Sequence, residues 1–500
     1  MKSFGLNDTI AAISTPLGQG GIGIIRLSGK DALSIADKIF VSKDRNKRST
    51  YKTYSVHYGW IVNSRKPNKK DRRQDIIDEV LLTVMRAPRS YTKEDIVEIS
   101  CHSGIVVLRE ILDLVLSSGA RLAEKGEFTK RAFLNGRIDL SRAEAVLDII
   151  NAKTGLALES GIKQLKGELS DEVSRLRIKL LDALVLLEAN IDFPEEEIEN
   201  AVQQKMEPLT HSAKGGMPKR PILIRTPKGA VLWPRGINKI INEVLARVEV
   251  LLSSAKHGKV LREGVSAVIL GKANAGKSSL LNALLKEERA IVTPIAGTTR
   301  DAIEEILDLK GIPLKITDTA GIIEPRDLIE REALARTQRY FEKANLVLLV
   351  FDSSLGLNKE DRQLIEKAKH RTAIAVLNKS DLKQRIDEAK ISKHIPCIVK
   401  ISCLRQKGLK ELEAKIIQAV WEGKLGVSDE VIVTNARHIQ ALKNGQRALE
   451  RAKGSLEKDL SIEFIAEDLK ICRNHLSEIA GETMEEDILE KIFSEFCIGK

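Results

Sequence analysis

The chain has 500 residues and a formal net charge of +11, with 43% hydrophobic and 30% charged residues, which is ordinary for about three globular domains. No apolar run approaches the ~18 residues that cross a bilayer, and the N-terminal segment resembles neither a signal peptide nor a mitochondrial presequence, so a cytoplasmic protein without membrane attachment is expected. Five scattered cysteines without a CxxC pair argue against a zinc site or a disulfide framework, and the basic charge favours a polyanionic partner such as nucleic acid.

Residues 1–120 predict a compact α/β domain. Strands are expected at "GIGIIRLSG", "DEVLLTVMRAP" and "DIVEISCHSG", and helices at "DALSIADKIF" and "IVVLREILDLVLSSG". The second helix should end at Gly119, because glycine readily adopts the left-handed conformation that closes a helix.

The segments 121–263 and 426–500 predict one all-α domain in two pieces. Ser141 and Glu144 suggest a capping box for the helix "LSRAEAVLDIINAKT", and Thr483 and Glu486 are expected to cap the last helix. A longer helix that stops at "DFPEEE" carries one apolar stripe, made of Val173, Leu176, Leu180, Leu184, Leu187 and Ile191. The stretch 207–236 is rich in glycine and proline and predicts a loop or hairpin before a helix resumes at "INKIINEVL".

Residues 264–425 predict a separate α/β domain inserted between those two pieces. Short apolar strands such as "SAVILG", "LVLLVFD" and "AIAVLN" alternate with helices. This alternation is typical of a doubly wound, mainly parallel sheet.

The insert opens with a phosphate-binding loop, "GKANAGKS" at residues 271–278, between a predicted strand and a predicted helix. In such a loop the backbone N–H groups and the helix N-terminus cradle phosphates. Lys277 should reach the β and γ oxygens, and Ser278 should bind Mg²⁺. The nucleotide contacts expected here are Asn274, Ala275, Gly276, Lys277, Ser278 and Ser279.

Further motifs in the insert select guanine and sense the γ-phosphate. In "NKSD", a buried Asp381 carboxylate would accept the N1–H and amine of guanine, donors that adenine does not present together. Supporting contacts are expected from Asn378, Lys379, Ser402, Cys403 and Leu404, from Asp318, Thr319, Ala320 and Gly321, and from Thr293, Pro294, Ile295, Ala296, Gly297, Thr298 and Thr299. The sequence therefore predicts a GTPase.

The residue that orients water in many GTPases is replaced by Ile322, which cannot hydrogen-bond water. Glu330, in "DLIEREAL", is a candidate for this role. Its spacing alone favours an ordinary solvated helix glutamate.

Blocks spread over nearly the whole chain resemble the MnmE (TrmE) family of tRNA modification GTPases. They include "DTIAAISTPLGQGGIGIIRLSG", "GEFTKRAFLNGRIDLSRAEAVLDIINA", "GKANAGKSSLLNALL", "IVTPIAGTTRD" and the terminal "CIGK". The resemblance implies an N-terminal folate-binding domain (1–120), a discontinuous helical domain (121–263 and 426–500) and an inserted Ras-like P-loop G domain (264–425).

The resemblance also implies a reaction and its partners. With a flavoprotein of the MnmG type, which carries FAD, family members modify carbon 5 of the wobble uridine of certain tRNAs. They use a one-carbon unit of 5,10-methylene- or 5-formyl-tetrahydrofolate. A homodimer formed through the N-terminal domains, and a heterotetramer with the flavoprotein, are expected.

Matching motifs carry family roles to particular residues. The K⁺ ligands would be Asn274, Thr293, Ile295 and Thr298, and the Mg²⁺ ligands Ser278 and Thr299, with Asp318 acting through water. Folate would be held by Arg26, Glu98, Arg137 and Lys500, with Cys497 beside it. Cys497 has two open roles, a nucleophile toward uridine or a positioning contact.

Three points stay open at this stage. A regulatory switch of the ribosome-assembly type, without folate chemistry, is the alternative function, although no KH-type appendage follows residue 425. Basic residues within 207–236 would either touch tRNA or belong to a solvated loop. Family members often have Arg-Pro where Lys272 and Ala273 stand, and no effect is expected because these positions present their backbone to phosphate.

Overall fold

In the computed structural model, the described residues are 8–43, 51–63, 75–192, 235–287, 304–318, 338–421 and 431–500. They divide into two compact units, the first formed by 1–147 with 477–500 and the second by 148–476. The predicted boundary at 120 falls inside the first unit, and those at 263 and 425 fall inside the second. The finer division into three domains stays a prediction.

The first unit is built on a seven-stranded sheet of order β3-β4-β5-β6-β2-β1-β7. Neighbouring strands are antiparallel except the pair β1 and β7. The strands are β1 (Ile10–Ile13), β2 (Gly23–Ser28), β3 (Phe40–Ser42), β4 (Ser55–Val62), β5 (Ile76–Met85), β6 (Ile96–Cys101) and β7 (Arg121–Leu122).

Helices cover this sheet because alternate strand residues are apolar. Ile25 and Leu27 of β2 pack with Ile111 of a helix in one buried cluster, and Ile10 packs with Phe128 in another. A third cluster packs the chain's last helix against the helix that begins at Leu140, through Leu140, Ala143, Phe493 and Phe496. The helices are α1 (Ala32–Ile39), α2 (Ile105–Ser117), α3 (Glu127–Leu134), α4 (Leu140–Asn151, entering the second unit) and α14 (Glu486–Ser494).

The second unit contains a six-stranded sheet of order β13-β12-β11-β8-β10-β9. All its neighbours are parallel except β9 and β10, so the predicted doubly wound sheet is confirmed. Its strands are β8 (Val265–Leu270), β9 (Glu304–Leu309), β10 (Ile312–Asp318), β11 (Leu346–Asp352), β12 (Ala373–Asn378) and β13 (Ile398–Lys400).

Two sets of helices belong to this unit. Those next to the sheet are α8 (Lys277–Glu287), α9 (Lys359–Ala368), α10 (Glu388–Ser392) and α11 (Leu409–Val420). The remaining helices are α5 (Gly155–Lys166), α6 (Glu168–Asp192), α7 (Arg235–Glu263), α12 (Ala436–Glu457) and α13 (Ile462–Ala480, which ends in the first unit). The predicted stripe of α6 is buried from Val173 to Leu187. None of the helices in the described ranges combines the length and the hydrophobicity that a membrane crossing requires.

Two predicted helix caps are wrong. Ser141 lies inside α4, and the carboxylate of Asp139 accepts the Arg142 N–H at 3.0 Å, so an aspartate in front of the predicted box caps the helix. The last helix is capped at Glu485 without a side-chain hydrogen bond, rather than by Thr483 and Glu486. The first helix therefore begins one residue earlier than the predicted box, and the last helix begins at Glu486 without a side-chain cap.

Candidate functional site

The predicted nucleotide-binding residues meet at one edge of the second sheet. Gly271 follows β8, Asp352 ends β11, Asn378 ends β12 and Ser402 comes shortly after β13. These four strands are parallel, so their carboxyl ends share that edge. Ligands of doubly wound sheets bind in this position.

The loop between β8 and α8 has the tight backbone that phosphate binding needs. Gly276 has φ +98°, and a Cβ atom there would lie 2.1 Å from the amide nitrogen of Asn378. Asn274 adopts φ +63°, a conformation that asparagine tolerates better than most residues. The Lys277 ammonium donates a hydrogen bond to the Lys272 carbonyl at 2.9 Å, so it is folded over its own loop.

Asn378 ties the phosphate loop to the predicted base-binding loop. Its amide nitrogen donates to the Ala275 carbonyl at 3.1 Å, and its Oδ1 accepts the Cys403 N–H at 3.2 Å. The residue is 3% exposed, and both backbone groups would lose these hydrogen bonds if the amide were removed. The phosphate and base halves of the site therefore share one buried side chain.

The base-binding aspartate is held by a serine hydroxyl. Ser402 Oγ donates to Asp381 Oδ1 at 2.5 Å and also accepts the Arg405 N–H at 3.1 Å. The hydrogen bond from Ser402 lowers the pKa of the Asp381 carboxyl below its usual value. Asp381 is exposed, and the Ser402 hydroxyl fixes the direction of its carboxylate.

Lys379 is placed by a second acidic residue, which the sequence analysis missed. Its ammonium lies 2.6 Å from Asp352 Oδ2, and the backbone of Lys379 has φ +62°. Burial by itself raises the pKa of Asp352, but hydrogen bonds from Lys379 and Ser354 outweigh it and lower the pKa. The sequence signal that could have revealed this partner is the aspartate at the end of the neighbouring parallel strand, Asp352.

Several of the predicted site residues lie outside the described part of the chain. They are Thr293, Pro294, Ile295, Ala296, Gly297, Thr298, Thr299, Thr319, Ala320, Gly321, Ile322 and Glu330. Asp318 ends β10, beside Ile269 of β8 in the strand register. Its backbone therefore reaches the same edge of the sheet as the phosphate loop.

The first unit gathers the residues predicted to bind folate. Arg26 lies on β2 between the core residues Ile25 and Leu27, so strand alternation turns it to the opposite face. The antiparallel register sets Arg26 against Glu98 of β6, and Arg26 Nε donates to Glu98 Oε1 at 2.7 Å. Their side chains are 17% and 20% exposed, so this is a half-buried pair rather than two solvated surface charges.

The C-terminal tail reaches the same pair. Arg26 Nη1 donates to the Gly499 carbonyl at 3.2 Å, and the Gly126 N–H donates to the Cys497 carbonyl at 3.2 Å. A Cβ at Gly499 would lie 2.5 Å from the Ile13 carbonyl oxygen, so only glycine fits between the tail and β1. Burial and the charge of Arg26 lower the pKa of Lys500. The Cys497 side chain is exposed.

Two aromatic residues complete this cluster, and the sequence analysis missed both. The Arg26 guanidinium lies 5.6 Å from the centroid of the Phe128 ring, and that of Arg137 lies 4.8 Å from the Tyr91 ring. Burial raises the pKa of Tyr91, while the charges of Arg137 and Arg26 act in the opposite direction. We name Arg26, Glu98, Tyr91, Phe128, Arg137 and Lys500 the arginine cluster.

Comparison with known proteins identifies the family. A family model described as the MnmE helical domain matches residues 140–497, and one described as the GTP-binding protein TrmE N-terminus matches residues 9–137. The chain belongs to the MnmE (TrmE) family of tRNA modification GTPases. The tRNA modification GTPase MnmE of Clostridioides difficile (strain 630) is 44% identical over 99% of this chain and 100% of its own length. That of Bacillus subtilis (strain 168) is 42% identical with the same coverage.

A solved structure of Aquifex aeolicus Era is 28% identical to this chain, covers 37% of it and 66% of its own chain, and has a TM-score of 0.27.

Membership of the MnmE family confirms the predicted combination of an α/β N-terminal domain, a helical domain and a G domain. At position 272, where only the backbone was expected to matter, the Lys272 ammonium lies 2.7 Å from Asp361 Oδ2 on α9. The side chain at this position therefore has a partner of its own.

Proposed function

We propose that this chain hydrolyses GTP and, with an MnmG-type flavoprotein that carries FAD, modifies carbon 5 of the wobble uridine (position 34) of certain tRNAs to an aminomethyl-type group. The observation that carries the GTP part is the Asn378 side chain, which joins the phosphate loop to the Asp381–Ser402 loop. The protein would act in the cytoplasm on tRNA as a homodimer, within a heterotetramer.

The phosphate loop fits Mg²⁺ and K⁺ by the chemistry of its donors. The Ser278 hydroxyl and the Asn274 amide both lie at exposed positions of the loop, and hard cations take oxygen ligands of this kind. We propose Ser278 and Thr299 for Mg²⁺, with Asp318 through water, and Asn274, Thr293, Ile295 and Thr298 for K⁺. When bound, the cations supply positive charge beside the phosphates.

The chain's own residues hold the nucleotide and direct the water. Backbone N–H groups of the loop and the ammonium of Lys277 would hold the phosphates, and Asp381 would accept the guanine donors. Glu330 is proposed to orient the attacking water, because Ile322 offers no hydrogen bond. Hydrolysis is measured in KCl and in NaCl for the wild type and for Glu330→Ala. We expect K⁺-dependent turnover, lost by about 100-fold in the variant while GTP binding is kept.

Turnover of Glu330→Ala equal to that of the wild type in KCl would assign the water to another group. Equal rates in both salts would remove the K⁺ proposal.

We further propose that the arginine cluster binds tetrahydrofolate. The Glu98 carboxylate suits the donor edge of a pterin, and guanidinium groups suit the carboxylates of a glutamate tail. Tyr91 and Phe128 provide aromatic walls, and Lys500 adds a second cation from the tail. When bound, the folate supplies the one-carbon unit. Cys497 would stand beside this pocket as a nucleophile or a positioning contact.

The deciding experiment is nucleoside analysis of the wobble uridine in cells that lack the gene. Return of the wild-type gene should restore the modified uridine, whereas Cys497→Ser should fail to restore it while keeping GTP hydrolysis. If the wobble uridine is still modified in the deletion strain, a regulatory GTPase without modification chemistry would be favoured instead. Normal modification by Cys497→Ser would exclude a chemical role for the thiol.

A further inference from the structure

A nearly buried ion pair connects the phosphate loop to a helix that carries none of the predicted nucleotide contacts. Lys272 Nζ lies 2.7 Å from Asp361 Oδ2, and the two side chains are 15% and 3% exposed. Lys272 is the second residue of the loop, and Asp361 lies in the first turn of α9. Taking two charges this far out of water is costly unless they hold a defined geometry.

The aspartate is itself fixed by a cap. Its Oδ2 accepts the Asn358 N–H at 3.0 Å, and the Asn358 side chain accepts the Asp361 N–H at 2.9 Å, which completes a capping box. The other oxygen, Oδ1, is buried and has no hydrogen-bond partner among the described residues. Asp361 therefore cannot turn away without breaking the start of α9, and it gives Lys272 a rigid anchor.

The backbone on either side of Lys272 is held by close contacts of its own. A Cβ at Gly271 would lie 2.4 Å from the Val350 carbonyl oxygen, so the loop begins in close contact with β11. The Lys272 carbonyl accepts the Ala275 N–H at 3.3 Å and the Lys277 ammonium at 2.9 Å. One residue thus holds the first turn of the loop by its carbonyl and holds α9 by its side chain.

We infer that Lys272 and Asp361 are positioning residues of the GTPase site, and that their ion pair keeps the phosphate loop in the conformation that retains nucleotide. The inference rests on the proposed GTP site. The pair draws the Lys272 ammonium toward α9, so the residue acts through the shape of the loop. Breaking the pair should loosen the grip on the β-phosphate and speed nucleotide release. Base selection stays with Asp381.

The test is a double-mutant cycle on nucleotide release. The release of a fluorescent GDP analogue is timed by stopped flow, with excess GTP as the chase, in the full-length protein. Lys272→Met and Asp361→Asn should each speed release about tenfold, and the double variant should also stay near tenfold, because both changes break one contact. Lys272→Arg, which keeps the charge, should stay within about threefold of the wild type.

Controls separate this role from a loss of stability. Asp361→Asn keeps an oxygen that can accept the Asn358 N–H, so the start of α9 should stay intact. This variant therefore still tests the ion pair if Lys272→Met fails to fold. Arg262→Met breaks a comparable pair with Asp148, 3.0 Å long and 27% and 9% exposed. It should lower the unfolding temperature without changing nucleotide release.

Three results would overturn the inference. The first is nucleotide release within about twofold of the wild type in both single variants. The second is release about 100-fold faster in the double variant, and the third is release by Lys272→Arg as fast as by Lys272→Met. A wild-type protein that binds no guanine nucleotide would instead overturn the proposed function together with this inference.

Discussion

At the scale of single residues, a side chain acquires its role from the partner that the fold gives it. Arg26 illustrates this, since by composition it is one of many basic residues. Strand alternation puts it on the face opposite Ile25 and Leu27, and the register of β2 with β6 adds Glu98 at 2.7 Å. The tail then adds the Gly499 carbonyl. Three segments far apart in sequence thus converge on one guanidinium.

This convergence predicts the effect of Arg26→Ala. Removal of the guanidinium takes from Glu98 its arginine partner and from the tail the bond to the Gly499 carbonyl. Binding of 5-formyl-tetrahydrofolate should therefore weaken by at least about tenfold. GTP hydrolysis should stay unchanged. Isothermal titration with the folate, alongside a phosphate-release assay, checks both.

Arg86→Ala is the matched control, because Arg86 pairs with Asp95 at 3.2 Å in the same unit without belonging to the arginine cluster. Equal folate affinity in Arg26→Ala and the wild type would refute the assignment.

At the scale of elements, the hairpin of β9 and β10 packs its turn against the start of α5. Thr154 Oγ1 caps α5 by accepting the Ala157 N–H at 3.3 Å, and it donates to the Gly311 carbonyl at 2.6 Å. Gly311 has φ +93°, and a Cβ there would lie 2.4 Å from the Leu156 side chain. Position 311 therefore requires glycine for two reasons, the left-handed backbone and the closeness of the Leu156 side chain.

Gly311→Ala should therefore lower the free energy of unfolding by about 2 kcal/mol, from the left-handed backbone and the overlap together. Chemical denaturation measures this change. In the double variant with Leu156→Ala, the loss of free energy of unfolding should be smaller than the sum of the two single losses. Leu156→Ala removes the side-chain atoms that collide with the new Cβ at position 311.

Gly454→Ala serves as the opposite control. Gly454 lies inside α12, and nothing lies within 4 Å of its would-be Cβ. It should raise the free energy of unfolding by about 0.5–1 kcal/mol. A neutral effect of Gly311→Ala would contradict the packing argument.

At the scale of the whole molecule, we expect a partly buried ionic network in the first unit to contribute to stability. Arg131, 3% exposed at its side chain, pairs with Asp8, Glu94 and Glu127. Arg121 donates two hydrogen bonds to the Glu127 carboxylate, at 2.6 and 3.1 Å. Burial by itself raises the pKa of Glu127 and Asp8, but the bonds from the two arginines outweigh it and lower both pKa values.

These shifts predict loss of stability in acid. Both carboxyl groups bind protons more weakly in the folded than in the unfolded chain, so their contribution is complete above the unfolded values near 4.5 and 3.8. It is lost as the pH falls through the folded values. The unfolding temperature, measured from pH 7 to pH 3, should fall most steeply below about 4.5.

Glu127→Gln should unfold at a lower temperature at pH 7 and show a flatter fall below about pH 4.5, because one of the two groups no longer titrates. Glu110→Gln, at an exposed position of α2, should follow the wild type. A pH profile of Glu127→Gln parallel to that of the wild type would show that the network does not set the acid response.

What the sequence determined by itself is the set of local patterns and motifs. The alternation of apolar strands and helices over 264–425 predicted the parallel sheet, and "GKANAGKS" and "NKSD" predicted which residues meet at its edge. Motifs of this kind are readable because their residues are contiguous and their conformation is set by local sterics.

The tertiary structure alone decided the partners, namely Asn378 between two loops, Asp352 with Lys379, and Asp361 with Lys272. It also corrected two helix caps, since several neighbouring polar residues could have capped each helix and only the backbone conformation shows which one does. Such partners are separated by tens of residues or more, and only the register of strands and the packing of helices bring them within hydrogen-bonding distance.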